Sequence, residues 1–165
     1  MTLLLAILLS LTSDSLFSNL KDLDFQTGFV ETVTYKNSQT VDTFKGNLKR
    51  KGSKLVMEVK YPYEEKYEIR GDTLYVYSDG KISYYPLEED AISLLNFNFL
   101  LDSTRFYTKI HGDVIELRPK QDAWFNSAKL FISKDLPRAI EVEDNEKIIK
   151  FTFRNWKFYD RKTGE

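Results

Sequence analysis

Few residues in this chain have the type and spacing that catalysis requires. His111 is the only histidine, and there is no cysteine, so thiol catalysis and thiolate metal sites are excluded. His111 directly precedes Gly112-Asp113, a dipeptide typical of turns. We interpret His111 first as a surface turn residue and second as a general base or metal ligand.

The acidic residues do not form a recognisable catalytic or metal-binding motif. Glu88-Glu89-Asp90 lacks the spaced ligands of a calcium loop and suits the first turn of a helix. There is no phosphate-cradling glycine loop and no Gly-x-Ser-x-Gly elbow. A carboxylate pair for glycoside hydrolysis stays open, because folding can bring any two acidic side chains together. We therefore expect a protein that is not an enzyme, with no metal and no cofactor.

Positive and negative charges are interspersed along the chain. There are 24 basic and 25 acidic residues and the net charge is -1, whereas nucleic-acid-binding proteins usually concentrate their basic residues on one surface. Lys49-Arg50-Lys51 and Lys54 form a short basic cluster. It is either a solvated hairpin tip or a docking site for an acidic partner. No nucleic-acid partner is predicted.

The N-terminus carries an apolar run from Leu3 to Leu11. This run is too short to span a bilayer, which takes roughly 20 residues. Its length and the small residues after it are typical of a secretory signal, although no basic residue precedes it. The alternative is an amphipathic first helix packed on the rest of the domain. We divide the chain into a signal-like segment, 1–13, and a single domain, 14–165, and expect export.

From Asp24 onward the hydrophobic pattern has a period of two, which is typical of strands buried on one side. Phe25, Phe29 and Val33, for example, share one face of the first strand. About ten such segments follow one another, each bounded by turn residues, and predict a continuous meander. Because long antiparallel sheets twist and curl, the predicted fold is mainly β with helices (α+β), built on a single strongly curved antiparallel sheet.

Two segments lack this period of two, one before the first strand and one within the series, and their patterns predict helices. Leu16, Leu20 and Leu23 recur at helical spacing, and 87–101 begins with acidic residues and becomes apolar almost all round. Helices this apolar must cover something apolar. We therefore expect an N-terminal and a central helix to lie over the concave face of the sheet. Aromatic residues make up 15% of the chain, and a ligand cavity and an ordinary core explain them equally well.

Several short motifs resemble the family of outer-membrane lipoprotein carriers, LolA. In chain order they are Phe25 to Val33, Gly46-Asn47-Leu48, Lys51 to Leu55, Tyr61-Pro62, Gly71 to Tyr77, Ile115 to Lys120 and Ala128 to Val142. Their order and spacing carry the resemblance, which covers nearly the whole chain after Leu16.

The resemblance implies an unclosed antiparallel β-barrel, lidded by helices, that carries triacylated lipoproteins across the periplasm from the inner to the outer membrane. It also implies an inner-membrane lipoprotein-releasing transporter that loads the carrier and an outer-membrane acceptor that unloads it. Because no cysteine is available for lipidation, the chain is similar to the soluble carrier rather than to the acceptor, and we expect a monomer. The alternative with the same fold is an envelope lipid-binding protein or a lipoprotein-sensing regulatory domain.

The predicted site combines an apolar lining with residues that control access. The residues expected to contact acyl chains are Phe25, Phe29, Leu48, Leu55, Met57, Leu74, Leu94 and Leu95. Those expected at the lid or at a partner are Arg50, Lys51, Lys54, Phe97 and Phe99. In the family, the arginine of a Lys-Arg-Pro triplet helps to hold the lid through helix carbonyl groups. Here Gly52 takes its place, so Arg50 or Lys54 is the expected substitute.

Overall fold

The computed structural model describes residues 23–86, 106–121, 125–134 and 136–160. In these ranges the regular elements are β-strands. They are β1 (Leu23–Tyr35), β2 (Val41–Lys51), β3 (Lys54–Tyr61), β4 (Glu65–Arg70), β5 (Thr73–Ser78), β6 (Lys81–Pro86), β7 (Phe106–His111), β8 (Val114–Pro119), β9 (Ser127–Ser133), β10 (Leu136–Glu143) and β11 (Lys147–Asp160). The predicted signal-like segment and the predicted helix at 87–101 lie outside the described residues. Leu23, assigned from its spacing to the first helix, instead begins β1, where it pairs with Asp160.

All eleven strands belong to one antiparallel sheet, in the order β6-β5-β4-β3-β2-β1-β11-β10-β9-β8-β7. Each half of the sheet is a meander, and the two meanders join where β1 pairs with β11. The prediction of one continuous meander is therefore wrong, because β6 and β7 are the two edge strands. Hairpin loops have about 2–5 residues, and the segment 87–105 between these strands is far longer.

The prediction of a single curved and unclosed antiparallel sheet is confirmed, since the edge strands β6 and β7 do not pair with each other. The longest strands, β1 with 13 residues and β11 with 14, lie in its centre. A wide sheet with a right-handed twist coils, which brings side chains from its two halves toward one another on the concave side.

The register assigns every side chain to one of two faces, because directly paired residues of antiparallel strands point the same way. We call inner face the one that carries Phe25, Phe29 and Val33 of β1, with the residues paired to them, and outer face the opposite one. One buried apolar cluster extends along the inner face from Leu74 of β5 to Phe106 of β7. The outer face is mostly polar and charged, as the alternation predicts.

Aromatic side chains pack along the seam between β1 and β11. Phe29 lies against Phe151 with ring centroids 5.4 Å apart, and Phe25 lies against Trp156 at 5.3 Å. Full burial of such a side chain contributes about 1.5–3 kcal/mol. A bulge near Thr27 interrupts the pairing, and the Thr27 hydroxyl donates to the Arg154 carbonyl oxygen at 2.9 Å. This bond satisfies a buried polar group and fixes the seam.

Candidate ligand-binding face

Six of the predicted lining residues lie together on the inner face. They are Phe25, Phe29, Leu48, Leu55, Met57 and Leu74, each only 1–3% exposed and each a member of the same apolar cluster. The other two, Leu94 and Leu95, lie outside the described residues. Contact of these side chains with a ligand stays a prediction.

The strand register arranges these residues in rows that run across the sheet. Leu55 of β3 lies opposite Ile69 of β4, which lies opposite Leu74 of β5. In the next row Leu48 of β2 lies opposite Met57 of β3. Because each row crosses several strands, the inner face presents a continuous apolar surface rather than isolated side chains.

A single sheet exposes both faces to water unless another layer lies over one of them. The apolar cluster of the inner face is nevertheless buried, whereas Tyr85 and Ile110 near its two edges are exposed. An apolar surface that must be covered has the character of a lining for alkyl chains.

An open groove of about 810 Å³ lies elsewhere, at the ends of β3 to β6. Its walls carry charges of both signs, including Glu58, Lys66, Asp79 and Lys81. Charged walls in contact with solvent do not suit alkyl chains, because the chains would stay hydrated there. The inner face, and not this charged groove, is therefore the candidate site.

Arg50 and Gly52 lie at the turn between β2 and β3, at one end of the inner face. Arg50 lies opposite Phe25 and Leu55, so its side chain belongs to the inner face, and its Nε donates to the Gly52 carbonyl oxygen at 3.2 Å. Gly52 has φ +61° and donates its N–H to Asp24. Left-handed backbone favours glycine, which explains why this position does not carry the family's arginine. Of the two expected substitutes, Arg50 lies on the inner face, and its contact with a lid stays a prediction.

Lys51 and Lys54 lie opposite one another on the outer face, away from the apolar lining. Lys54 is engaged there, with its Nζ 2.7 Å from Glu68 Oε1. Their proposed contact with a lid or partner stays a prediction, as does that of Phe97 and Phe99, which lie outside the described residues.

Glu68 is completely buried on the outer face beneath three cations. Lys54 and Arg70 contact its Oε1, and Lys66 Nζ lies 3.1 Å from its Oε2. Arg70 and Lys66 in turn lie over aromatic rings of β5, 5.1 and 4.8 Å from their centroids. Burial alone would raise the pKa of Glu68, but hydrogen bonds from Arg70, Lys54 and Lys66 together lower it to about 2.

Glu68→Gln is expected to reduce the free energy of unfolding at neutral pH by about 1.5–3 kcal/mol, the range for hydrogen bonds to charged groups. Solvent screening of the half-exposed cations favours the lower end. Because the folded-state pKa is depressed, this stability is present above about pH 4.5 and is lost as pH falls toward 2. Urea unfolding at neutral and at acidic pH measures both effects. Glu58→Gln is the control, since its ion pair with Lys49 is partly exposed; an equal loss in both variants would contradict the special role of Glu68.

Glu31 is a further candidate residue of this face that sequence reasoning missed. It lies on the inner face between Phe44 of β2 and Phe151 of β11 and is 4% exposed. Its Oε2 has no hydrogen-bond partner among the described residues. Burial raises the pKa of Glu31 to about 7, against an opposing influence from Lys147. The available signal was an acidic residue at an apolar position of the alternation, beside Phe29.

Tyrosines and further acidic residues surround Glu31 at this end of the inner face. Tyr67 donates its hydroxyl to Glu65, and burial and this bond raise the pKa of Tyr67 above its usual range. Burial raises the pKa of the Tyr63 hydroxyl, and the negative charges of Glu65, Glu31 and Asp42 raise it further. The region is therefore polar, acidic and adjacent to the apolar lining.

The described residues contain no group of three or more His, Asp or Glu side chains placed to hold a metal ion. In the same ranges, no helix is long and apolar enough to cross a membrane. The chemistry that the described inner face offers is burial of apolar groups, with one acidic end.

No protein-family model and no curated protein sequence matches this chain, whereas solved structures match it. One chain of the MucA/MucB complex from Pseudomonas aeruginosa aligns with a TM-score of 0.53 and 11% identity, over 93% of this chain and 55% of that one. A LolA superfamily protein from Nitrosomonas europaea aligns at 0.48 and 10%, over 97% and 94% of the two chains. Lipoprotein LppX from Mycobacterium tuberculosis aligns at 0.46 and 13%, over 93% and 94%. The first alignment shows a shared fold, and at these identities the likeness concerns fold alone.

Proposed function

We propose that the protein is a periplasmic carrier that binds the acyl chains of lipoproteins on its inner face and moves them from the inner to the outer membrane. The observation that carries the proposal is the apolar cluster that extends from Leu74 to Phe106 across an unclosed sheet. The motifs that resemble the LolA family support the same function. A wide, curved and apolar surface suits several alkyl chains better than one compact ligand.

Binding follows from the hydrophobic effect. Each methylene group that leaves water contributes about 0.8 kcal/mol, so long acyl chains supply enough free energy to displace a cover from the inner face. In this proposal the predicted N-terminal and central helices provide the cover, and they move when chains enter. The inner face must then alternate between contact with protein and contact with lipid.

Release requires a partner, because the sequence has no phosphate-cradling loop through which a nucleotide could supply work. We propose an inner-membrane lipoprotein-releasing transporter as the donor and an outer-membrane acceptor with a better-fitting surface. Transfer in one direction then depends on the relative affinities of the donor, carrier and acceptor for the same chains.

Leu48→Glu is expected to lower the affinity of the folded protein for a fluorescent acyl probe at least ten-fold, because a charge would have to be desolvated beneath bound chains. The same charge lowers the free energy of unfolding, because Leu48 is only 1% exposed. Val30→Glu is the matched control, since Val30 lies on the outer face of β1 opposite Lys45. Leu48→Thr is the milder variant if the glutamate prevents folding. Probe titration with circular dichroism measures both affinity and fold.

Equal binding by wild type, Leu48→Glu and Leu48→Thr would contradict an inner-face site. Mass spectrometry of material co-purified from the native periplasm identifies the cargo. Triacylated lipoprotein supports the carrier, whereas free lipid supports the alternative of an envelope lipid-binding protein.

A further inference from the structure

The acidic end of the inner face contains a hydrogen-bond acceptor without a donor. Glu31 Oε2 is buried and has no hydrogen-bond partner among the described residues. Two phenol groups, those of Tyr35 and Tyr67, lie near enough for Glu31 to raise their pKa values. These phenols are engaged elsewhere: Tyr67 donates to Glu65, and the Tyr35 hydroxyl interacts with Asp42. A buried carboxyl oxygen without a hydrogen bond lowers the free energy of unfolding, and a hydrogen-bond donor supplied by a ligand would restore it.

We propose that this end of the inner face is a subsite for the cationic nitrogen of an acyl ligand's head group, with Glu31 as the acceptor of its N–H. The inference goes beyond the proposed cargo, because the terminal amine of a triacylated lipoprotein is acylated and uncharged. It rests on the proposed function for the apolar lining, which the alkyl part of such a ligand would occupy. The ligand class is an amphiphile that carries an ammonium group.

The charges around Glu31 determine the sign of the head group. Asp42 of β2, Glu65 of β4 and Glu31 act together on the Tyr63 hydroxyl, and Tyr35, Tyr63 and Tyr67 are neutral phenols at physiological pH. Lys147 of β11 is the cation that acts on Glu31 among the described residues. Among the described residues, three carboxyl groups and one ammonium group act in this region, a balance that favours a cationic ligand group over an anionic one.

The position of Glu31 also fits an amphiphile. Phe44 and Phe151 flank it across the sheet, so an alkyl chain can begin directly beside the carboxyl group. Leu48 lies four residues farther along β2 than Phe44, or about 13 Å at the rise of a strand. Toward the other side Tyr35 and Tyr63 are partly exposed, which leaves a polar rim for the head group and an apolar interior for the chain.

The protonation state of Glu31 also supports a subsite for a cationic head group. A pKa of about 7 for Glu31 means that the carboxyl group is partly protonated at neutral pH in the absence of ligand. An ammonium group beside it stabilises the ionised form, so binding should release a fraction of a proton. A ligand that makes only apolar contacts would release none.

The test compares three amphiphiles that have the same alkyl chain, short enough to remain monomeric, and an amine, an alcohol or a carboxylate as head group. Each competes with a fluorescent acyl probe for wild type, Glu31→Gln and the exposed-residue control Glu64→Gln, slightly above neutral pH. Wild type and the control should bind the amine about ten-fold more tightly than the alcohol, the scale of one charge-assisted hydrogen bond. Glu31→Gln should lose this preference and keep its affinity for the alcohol. Calorimetry in buffers of different ionisation enthalpy should detect proton release for wild type with the amine alone.

The outcomes separate the subsite from the proposed function. Equal affinity of wild type for all three head groups, without proton release, would overturn the subsite and leave acyl-chain binding intact. An amine preference that persists in Glu31→Gln would also overturn it, because another group would then be responsible. Failure of all three amphiphiles to bind wild type would overturn both proposals.

Discussion

Gly46→Ala is expected to lower the free energy of unfolding by about 3 kcal/mol, at the upper end of the cost of overpacking, and the melting temperature by roughly 6–12 °C. A Cβ atom at this position would lie 1.9 Å from the Glu58 carbonyl oxygen and 3.0 Å from Phe29 Cε1. The first neighbour is backbone, so β2 and β3 would have to separate where their register shifts between Lys45 and Gly46. Thermal unfolding monitored by circular dichroism measures the effect.

Gly28→Ala is the matched control, because Gly28 lies in the adjacent strand and a Cβ there would meet its nearest neighbour, the Arg154 carbonyl oxygen, at 3.6 Å. That is ordinary van der Waals contact, so the change should be small or slightly stabilising, since glycine inside a strand is unfavourable. If Gly46→Ala, Gly28→Ala and wild type had the same melting temperature, the inferred close approach of β3 to Gly46 would be contradicted. Phe29, which belongs to the candidate lining, would then not be held by this contact.

The second large effect is expected from Glu31→Gln and depends on pH. Below about pH 4.5 Glu31 is protonated in both states, and its burial then carries no charge penalty. As pH rises toward the folded-state pKa of about 7, the unfolded chain ionises first and stability is lost. Above pH 7 the full cost applies, about 3 kcal/mol at 1.36 kcal/mol per pKa unit. Glu31→Gln should therefore be more stable than wild type by up to about this amount at about pH 8.5 and nearly equal to it at about pH 4.5.

Chemical denaturation of both proteins across this pH range measures the difference, which isolates Glu31 from the other titrating groups. Glu64→Gln, which changes an exposed side chain, should follow the wild-type curve. If the free energies of unfolding of wild type and Glu31→Gln changed in parallel with pH, the Glu31 carboxyl group would be solvated or paired. A stability cost at a position of the proposed subsite agrees with the trade between stability and function seen at many binding sites.

Local pattern was enough to predict the strands and the face on which each side chain lies. A period of two specifies inward and outward positions without knowledge of the partner strand, so Phe25, Phe29 and Leu48 could be assigned to one apolar surface. Glycine and neighbouring polar residues marked the hairpins, because left-handed backbone at Gly71 and Gly80 favours glycine. These are properties of a few neighbouring residues, and they are readable in one sequence.

The order of strands was decided by the tertiary structure. Turn residues indicate only which consecutive strands form hairpins. No local pattern indicates that β1 pairs with β11, from which it is separated by about a hundred residues. That pairing follows from packing between two long aromatic strands, in which Phe29 meets Phe151. It also places β6 and β7 at opposite edges, which leaves the sheet unclosed.

The chemistry of individual charges likewise required the fold. In the sequence Arg50 and Lys54 were equivalent candidates, and the register separates them onto opposite faces. Glu31 and Glu68 are both glutamates within strands, yet their pKa values move in opposite directions, to about 7 and about 2. The alternation determined only that Glu31 faces the apolar side. Which charges approach each carboxyl group depends on neighbouring strands, because electrostatic interactions act through space between residues that are distant in sequence.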